Sequence, residues 1–133
     1  ADFSFEHTKN ESYIKSNAAL GLLSAIPAFG ALYTGLSWGE EIPHHHTSVK
    51  GASISLTRPV WDKTTTFSLN YNEAGGGSHF GLPRSDRSYT VMIRRPVSNH
   101  FVVSLGYQIN RSNVDLYQGN QAIFGIDLKP WRF

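Results

Sequence analysis

The sequence contains no cysteine and few charged residues. The absence of cysteine excludes disulfides and thiolate metal sites. Charged residues make up 17% of the chain, below the usual quarter, and the twelve basic residues are scattered, so a nucleic-acid partner is not expected. Aromatic residues (13%) and glycine (twelve) are plentiful instead. A chain of 133 residues is expected to form a single domain, residues 1–133.

Alternation of apolar and polar residues is the dominant pattern. It runs through "DFSFEHT", "GASISLTRP", "TTFSLNYNE", "SYTVMIRR" and "FVVSLGYQINR". Strict alternation indicates strands with one apolar face. The sequence predicts eight strands, at residues 2–9, 14–24, 31–40, 51–58, 64–73, 87–96, 100–112 and 121–133. The predicted apolar face includes Leu69, Val91 and Leu105, and the predicted polar face includes Asn70, Thr90 and Ser104.

The connections between these strands alternate in length. "RPVWDK" and "PVSNH" are short, whereas "GEEIPHHHTSVK", "NEAGGGSHFGLPRSDR" and "SNVDLYQGN" are longer and polar. Short turns at one end and long loops at the other are typical of a bacterial transmembrane β-barrel. We therefore predict an all-β fold, an eight-stranded antiparallel transmembrane β-barrel, closed, in the bacterial outer membrane, with both termini periplasmic.

A soluble β-sandwich is the competing interpretation, because its strands also alternate. The polar face of a sandwich is expected to carry Lys, Glu and Thr. Here it carries Ser, Asn, Gly, Thr and Gln, which fit inside a narrow barrel. Aromatic residues near the ends of the apolar face resemble the girdles at membrane interfaces. They are Trp38, Trp61, Tyr71, Tyr89, Phe101 and Trp131.

The uncharged stretch "SNAALGLLSAIPAFGALYTGLSW", residues 16–38, is long enough for a transmembrane helix. Pro27 at its centre and the interspersed glycines favour a hairpin that turns at "AIPAFG". The hairpin would direct five residues to lipid: Leu20, Leu22, Leu32, Leu36 and Trp38. It would direct four residues to the lumen: Gly21, Tyr33, Gly35 and Ser37.

The final stretch, "DLKPWRF", ends on an aromatic residue. Bacterial outer-membrane barrels are similar to one another in a last strand that ends on an aromatic residue, usually Phe, which the barrel-assembly machinery recognises. This chain resembles that class in its whole layout, and the resemblance implies that Trp131 and Phe133 form the assembly signal. The closing hairpin, "YQINRSNVDLYQGNQAIFGIDLKPWRF", also resembles the last hairpin of larger barrels in surface-lipoprotein or exopolysaccharide export.

The predicted lumen contains four charged residues, namely Glu6, Lys15, Arg94 and Asp127. Lone charges in a narrow lumen are costly, so we expect them to pair in an ion-pair network. A proton or ion path is the alternative. Eight strands leave an interior that side chains fill, which excludes a wide pore.

The predicted outer loops contain further candidate contacts. Three adjacent histidines can bind zinc or copper, but successive residues of a regular backbone do not face one metal, so a solvated loop is favoured and no metal or cofactor is expected. Basic residues of the longest loop, 75–87, either meet lipopolysaccharide phosphates or act as ordinary solubilising charges. The candidate contacts are His44, His45, His46, His79, Arg84, Asp86 and Arg87.

Two Ser–His pairs raise the possibility of an enzyme. Ser98 and His100 have, in reverse order, the spacing found in a lipid A deacylase of this general barrel type, and Ser78 precedes His79. Neither pair has an acid placed to complete a triad, so no enzyme is expected.

These patterns predict a non-enzymatic outer-membrane barrel whose extracellular loops contact a ligand, a surface or an envelope partner. One alternative is an outer-membrane enzyme acting on lipid A or a peptide. The other is a subunit or C-terminal part of a larger export assembly. Expected partners are outer-membrane lipid and lipopolysaccharide, the barrel-assembly machinery during insertion, and an envelope or surface protein.

Overall fold

A computed structural model describes residues 2–9 and 14–128. Eight antiparallel strands form one sheet in chain order. The strands are β1 (Asp2–Lys9), β2 (Ile14–Ile26), β3 (Gly30–Gly39), β4 (Thr47–Val60), β5 (Lys63–His79), β6 (Leu82–Pro96), β7 (Phe101–Ser112) and β8 (Gly119–Leu128). A short 3₁₀ helix, Asp115–Tyr117, lies between β7 and β8. The predicted all-β fold with eight antiparallel strands is therefore confirmed.

The uncharged stretch, residues 16–38, forms the β2–β3 hairpin. Ile26 pairs with Gly30, and the Phe29 N–H donates a hydrogen bond of 3.0 Å to the Ile26 carbonyl. Pro27 lies in this turn, where its missing N–H removes no ladder hydrogen bond. The predicted hairpin and its turn are confirmed. Within residues 2–9 and 14–128, no helix has the length and apolar character needed to cross a membrane.

The segment predicted as the longest loop, residues 75–87, is mostly strand. β5 and β6 continue to a two-residue turn at Phe80 and Gly81, whose φ angles of 48° and 82° are those of a type I′ turn. The register shifts between Ala74 and Gly77, which marks a bulge inside the ribbon. The loop prediction was wrong because a glycine run in a strand can signal a bulge as well as a loop.

Pairing across the sheet separates an apolar face from a polar face. One row of partners on the apolar face runs through Leu22, Thr34, Ile54, Leu69, Val91, Tyr107 and Ala122. The adjacent row on the polar face runs through Gly21, Gly35, Ser53, Asn70, Thr90, Gln108 and Gln121. The predicted assignment of residues to the two faces is confirmed.

Within residues 2–9 and 14–128, no second layer packs on the apolar face. Among the residues that the structure describes, Val102 is the one buried hydrophobic residue. Leu69, Val91 and Leu105 remain 48%, 53% and 54% exposed. A sandwich buries the apolar face of one sheet against another, so this single sheet is not a sandwich.

The two edges of the sheet are β1 and β8. β1 pairs with β2 and β8 pairs with β7, and no ladder joins β1 to β8 within the described ranges. The predicted closure into a barrel is therefore not present as a continuous ladder. Trp131 and Phe133, the predicted assembly signal, lie outside the described residues.

The two ends of the sheet differ in their connections. Three turns of two to four residues, at 27–29, 61–62 and 97–100, lie at one end, which we call the short-turn end. The connections 40–46, 80–81 and 113–118 lie at the opposite end, which we call the long-loop end. The predicted alternation of connection lengths is confirmed except at 80–81.

Candidate functional site

The apolar face carries a band of exposed hydrophobic side chains between two rows of charges, and we call this band the belt. At the long-loop end, four charged residues occupy successive partner positions on β4 to β7: Lys50, Glu73, Arg87 and Arg111. At the short-turn end, Arg58 and Arg95 bound the belt. Arg87 and Arg95 are eight residues apart on β6, on the order of 26 Å along the strand. This separation is close to the length of a membrane-spanning strand.

Aromatic residues lie at both margins of the belt. Trp38 pairs with Lys50 at the long-loop margin, and the Tyr71 and Tyr89 rings lie 5.1 Å apart one row below. At the other margin, the Arg95 guanidinium lies 5.3 Å from the centroid of the Trp61 ring. The predicted girdle residues within the described ranges thus lie near the ends of the apolar face, and Trp131 lies outside those ranges.

A hollow of about 450 Å³ opens in the belt over β4. It exists because Ala52 is small and its partners are larger, so Leu36 and Tyr71 form walls on either side. A second hollow of about 430 Å³ shares Ile54 and Leu69 with it and continues toward the short-turn end. Together they form one apolar groove along the apolar face of the sheet.

Side chains of the polar face form hydrogen bonds with one another. The hydroxyls of Thr57 and Thr66 lie 3.0 Å apart, and Gln121 donates to Gln108 at 3.0 Å. A Cβ on Gly21 would lie 2.8 Å from the Tyr33 hydroxyl. Glycine at this position therefore makes room for the Tyr33 ring to lie across the polar face.

Two of the four predicted lumen charges are in contact. Arg94 donates to an Asp127 carboxylate oxygen at 2.8 Å, and both side chains are more than half exposed. Glu6 lies on the polar face of β1, at the opposite edge of the sheet. Lys15 pairs in the ladder with Thr8, and its side chain lies outside the described part of the structure. The four-residue network stays a prediction.

A cluster of side chains occupies the long-loop end, and we call it the rim cluster. Asp86 lies at its centre: one carboxylate oxygen receives the Arg84 guanidinium, with Nε at 2.8 Å, and lies 3.0 Å from His46 Nε2. Ser112 donates to the other oxygen at 2.5 Å. The Tyr117 ring completes the cluster, 3.3 Å below the Arg84 guanidinium carbon. The cluster thus joins the 40–46 loop, β6, β7 and the 3₁₀ helix.

The pKa of the Asp86 carboxyl is lower than its ordinary value. Burial of the side chain, which is 20% exposed, acts to raise this pKa. Hydrogen bonds from Arg84 and Ser112, together with the charges of Arg84 and His46, outweigh burial. Asp86 is therefore held as a carboxylate, which suits a structural ion pair better than a proton donor.

Three glycines form a seat for the 40–46 loop. Gly76 has a φ of 86°, and a Cβ there would lie 2.2 Å from the Ile42 carbonyl oxygen. A Cβ on Gly77 would lie 2.7 Å from the His46 Cβ, and one on Gly75 would lie 3.4 Å from the Glu41 carboxyl. The close backbone approach positions His46 beside Asp86, and the sequence alone did not indicate this role for the glycines.

The three adjacent histidines diverge. His44 is exposed with a φ of 67°, the His45 N–H closes a turn on the Ile42 carbonyl at 3.1 Å, and His46 contacts Asp86. Residues 2–9 and 14–128 hold no group of three or more metal-ligating side chains placed to bind one ion. Arg87 does not join the rim cluster, because it lies on the apolar face at the margin of the belt.

Members of the two Ser–His pairs make structural contacts. The Ser98 hydroxyl accepts the backbone N–H groups of His100 and Phe101, both at 3.2 Å, and so closes the β6–β7 turn. His79 packs against Phe80 and lies 3.3 Å from the Tyr117 hydroxyl through Nδ1. In the rim cluster the carboxylate of Asp86 lies between Ser112 and His46, which is not the order of a catalytic triad.

Sequence reasoning missed three residues of the long-loop end. Asn113 accepts the Ser85 N–H at 2.8 Å and donates to the Pro83 carbonyl at 2.7 Å, while Ser112 and Tyr117 contact the rim cluster. The available signal was the "SNVDLY" stretch, because Ser, Asn and Asp commonly bond to nearby backbone in turns.

The fold and site define a class: a single eight-stranded antiparallel sheet with a polar face, an apolar belt between charged rows, and an interconnected rim cluster. Comparison of the chain with protein families, curated proteins and solved structures finds no match. The functional conclusion therefore rests on the geometry.

Proposed function

We propose that the protein is an integral β-barrel of the bacterial outer membrane, that it is not an enzyme, and that its long-loop end contacts a ligand, a surface or an envelope partner. The observation that carries the proposal is the exposed belt between two charged rows. A monomeric soluble protein rarely exposes a contiguous apolar patch larger than a few hundred Å². A belt about as long as a membrane-spanning strand, on one face of a sheet, is instead what lipid would cover.

Backbone chemistry supports a closed barrel in that setting. Unpaired N–H and C=O groups of an edge strand cost several kcal/mol each in hydrocarbon. The edges β1 and β8 must therefore find partners inside a membrane. If β1 and β8 pair with each other, the barrel closes without a second chain.

The register of the sheet predicts how the edges meet. Ser4, near the start of β1, lies in the same row as Gly119, the first residue of β8, at the opposite end of the sheet. Strands tilted by about 35–45° in an eight-stranded barrel produce a stagger of about 8–12 residues on closure. Without a stagger, Glu6 lies two residues beyond Gly119 toward the long-loop end. A stagger of about ten residues places Glu6 level with Asp127.

This register would assemble the predicted lumen charges. Glu6 would lie beside the Arg94–Asp127 ion pair, and Lys15, on the strand next to Glu6, would lie within the same region. Alternating charges would then be paired in the lumen rather than left single. The same register therefore predicts both the closure of the barrel and the ion-pair network.

Disulfide trapping tests the closure, because the chain has no cysteine of its own. The pair Glu6→Cys with Asp127→Cys should form an intramolecular disulfide in membranes, since paired strands bring Cα atoms within bonding range. The pair Ser4→Cys with Gly119→Cys is the control, because those residues share a row only if the stagger is zero. Cross-linking in the control and not in the test pair would reject the register.

Membrane integration is tested separately. Spin labels at Leu69 and Leu105 should show high accessibility to oxygen in bilayers, and labels at Asn70 and Ser104 should show low accessibility. The folded protein should also migrate differently before and after boiling on a denaturing gel. A detergent-free soluble monomer would contradict the proposal.

A second candidate is a subunit or part of a larger barrel assembly, and the open sheet favours it. Within the described residues β1 and β8 each have one ladder partner, so both edges can pair with strands of another chain or another segment. In that case the Glu6→Cys variant should cross-link between chains, and native mass in mild detergent should exceed that of one chain.

The rim cluster supports a contact role at the long-loop end. Its ion pairs and the glycine seat hold loop 40–46 against the β5–β6 ribbon, which leaves exposed groups such as His44 and Phe80 on a rigid base. Rigid contact surfaces lose less entropy on binding. An enzyme acting on lipid A or a peptide is the alternative that lipid A mass spectrometry, with and without the protein, would detect.

A further inference from the structure

The charged row at the long-loop margin of the belt contains three cations that form no hydrogen bond or ion pair within residues 2–9 and 14–128. They are Lys50, Arg87 and Arg111, and all three are exposed. Glu73 lies between Lys50 and Arg87 in the ladder, but its carboxylate accepts the Tyr71 hydroxyl at 2.9 Å. Three cations and one carboxylate give this row a net positive charge on the outer surface.

The apolar groove begins directly below this row. Ala52 follows Lys50 by two residues on the same face of β4, and Tyr71 precedes Glu73 by two on β5. The groove has a volume of about 450 Å³ in its first part, which is within the range of ligand sites. Cations above an apolar groove match an amphiphile that carries its anionic group above its acyl chains.

We propose that this surface binds a phosphorylated, acylated glycolipid of the lipid A type from the leaflet on the long-loop side. The proposal rests on the proposed function, since it requires the belt to face lipid. Charge-assisted bonds from the guanidinium groups hold phosphate, and an acyl chain occupies the groove over Ala52.

The spacing of the cations favours a lipid with two phosphates. Arg87 and Arg111 are direct ladder partners, so their side chains reach the same phosphate. Lys50 lies three strands from Arg111, roughly 14 Å at the usual strand separation, which is too far for that same phosphate. A second phosphate, on the other side of Glu73, would meet Lys50.

The test uses the full chain in neutral detergent micelles, with diphosphoryl and monophosphoryl lipid A of identical acylation as probes. Native mass spectrometry measures how much of each lipid the protein retains. The wild-type protein should retain diphosphoryl lipid A in preference to monophosphoryl lipid A. The triple variant Lys50→Gln, Arg87→Gln, Arg111→Gln should bind at least about tenfold more weakly, because each basic residue near a membrane surface contributes about fivefold.

The matched control is Arg95→Gln. Arg95 lies on the same strand and face as Arg87, at the opposite margin of the belt, and Arg95→Gln makes the same single charge change as the Arg87→Gln component of the triple variant. It should leave retention of diphosphoryl lipid A unchanged. A separate variant, Ala52→Trp, fills the groove and should weaken both lipids equally, since they share acyl chains.

The outcomes separate the two proposals. Equal retention by the wild-type protein and the triple variant, or equal loss in the triple variant and Arg95→Gln, would overturn the lipid site while heat-modifiable migration still supports the barrel. A wild-type protein that shows no heat-modifiable migration and leaves bilayers as a soluble monomer would overturn both the barrel and the lipid site. Retention that depends on the phosphates and on the long-loop cations supports the site.

Discussion

Two carboxylates on the polar face, one at each end of the sheet, are held in very different ways. Asp86 at the long-loop end is contacted by Arg84, His46 and Ser112, and the Arg84 and Asp86 side chains are each 20% exposed. Asp127 at the short-turn end contacts Arg94, and these two side chains are 55% and 57% exposed. Exposed ion pairs contribute little to stability, whereas a shielded, multiply bonded carboxylate contributes more. The rim cluster is therefore where electrostatics stabilise the fold.

The connections at the two ends also differ in the contacts that hold them. Short turns need only a few residues with positive φ, such as Trp61 and Asp62 at the short-turn end. The long-loop end joins the 40–46 loop, the β5–β6 ribbon and the 3₁₀ helix through side chains and close backbone contacts. Substitutions at each end, and in the belt between them, should therefore differ in how much stability they remove.

The largest effect is expected at the glycine seat. Gly76→Ala should lower the free energy of unfolding by about 2–5 kcal/mol, since it combines an unfavourable backbone conformation with overpacking against the Ile42 carbonyl. Gly81→Ala is the control, because Gly81 also has positive φ but an added Cβ would meet no atom within 4 Å, so about 1–2 kcal/mol is expected. Urea unfolding of the refolded variants measures both values, and equal losses would show that the seat is not tightly packed.

The next effect concerns the belt. Leu105→Arg should cost about 2–4 kcal/mol in a bilayer, and Leu128→Arg, near the margin, only about 0–1 kcal/mol. Both leucines are exposed on the apolar face. In water, both substitutions would fall within about 0.5 kcal/mol of wild type. Unfolding titrations from lipid vesicles therefore distinguish a lipid-covered belt from a solvated one.

Asp86→Asn should weaken the long-loop end by about 1.5–3 kcal/mol, because hydrogen bonds to a charged group are lost. The folded-state pKa of Asp86 is lowered, so the carboxylate contributes its full stability above its unfolded pKa of about 3.9. This contribution is lost as the pH falls through the lower folded-state pKa. The difference in unfolding free energy between the wild-type protein and Asp86→Asn should be constant above about pH 5 and shrink at lower pH. A difference that grows on acidification would contradict the assigned direction.

The smallest effect is expected at the other end. Arg94→Gln removes the partner of Asp127 and should change the free energy of unfolding by about 0–1 kcal/mol, because both side chains are largely exposed. The measurement is the same urea titration, in detergent. The small value holds for the open sheet. The closed register of the proposed function would enclose Arg94 in the lumen with Glu6 and raise the loss toward that of Asp86→Asn, so the titration decides between the open sheet and the closed barrel.

Local patterns in the sequence determined the strands and their two faces. The alternation of Leu69 with Asn70 and of Val91 with Thr90 requires opposite sides of any strand, because successive side chains of a strand point in opposite directions. Pro27, which cannot continue a helix without cost, likewise marked the hairpin turn within residues 16–38. These features depend on neighbouring residues alone.

Contacts between distant segments were decided only by the tertiary structure. The run Gly75–Gly77 reads as a loop in isolation, and only the approach of the 40–46 loop makes its missing side chains necessary. The pairing of His46 with Asp86 joins residues forty positions apart, and the row of Lys50, Arg87 and Arg111 exists only because the register aligns β4 to β7. Alternation determines which face a residue occupies, but its height on that face depends on the strand register, which bulges and turns decide.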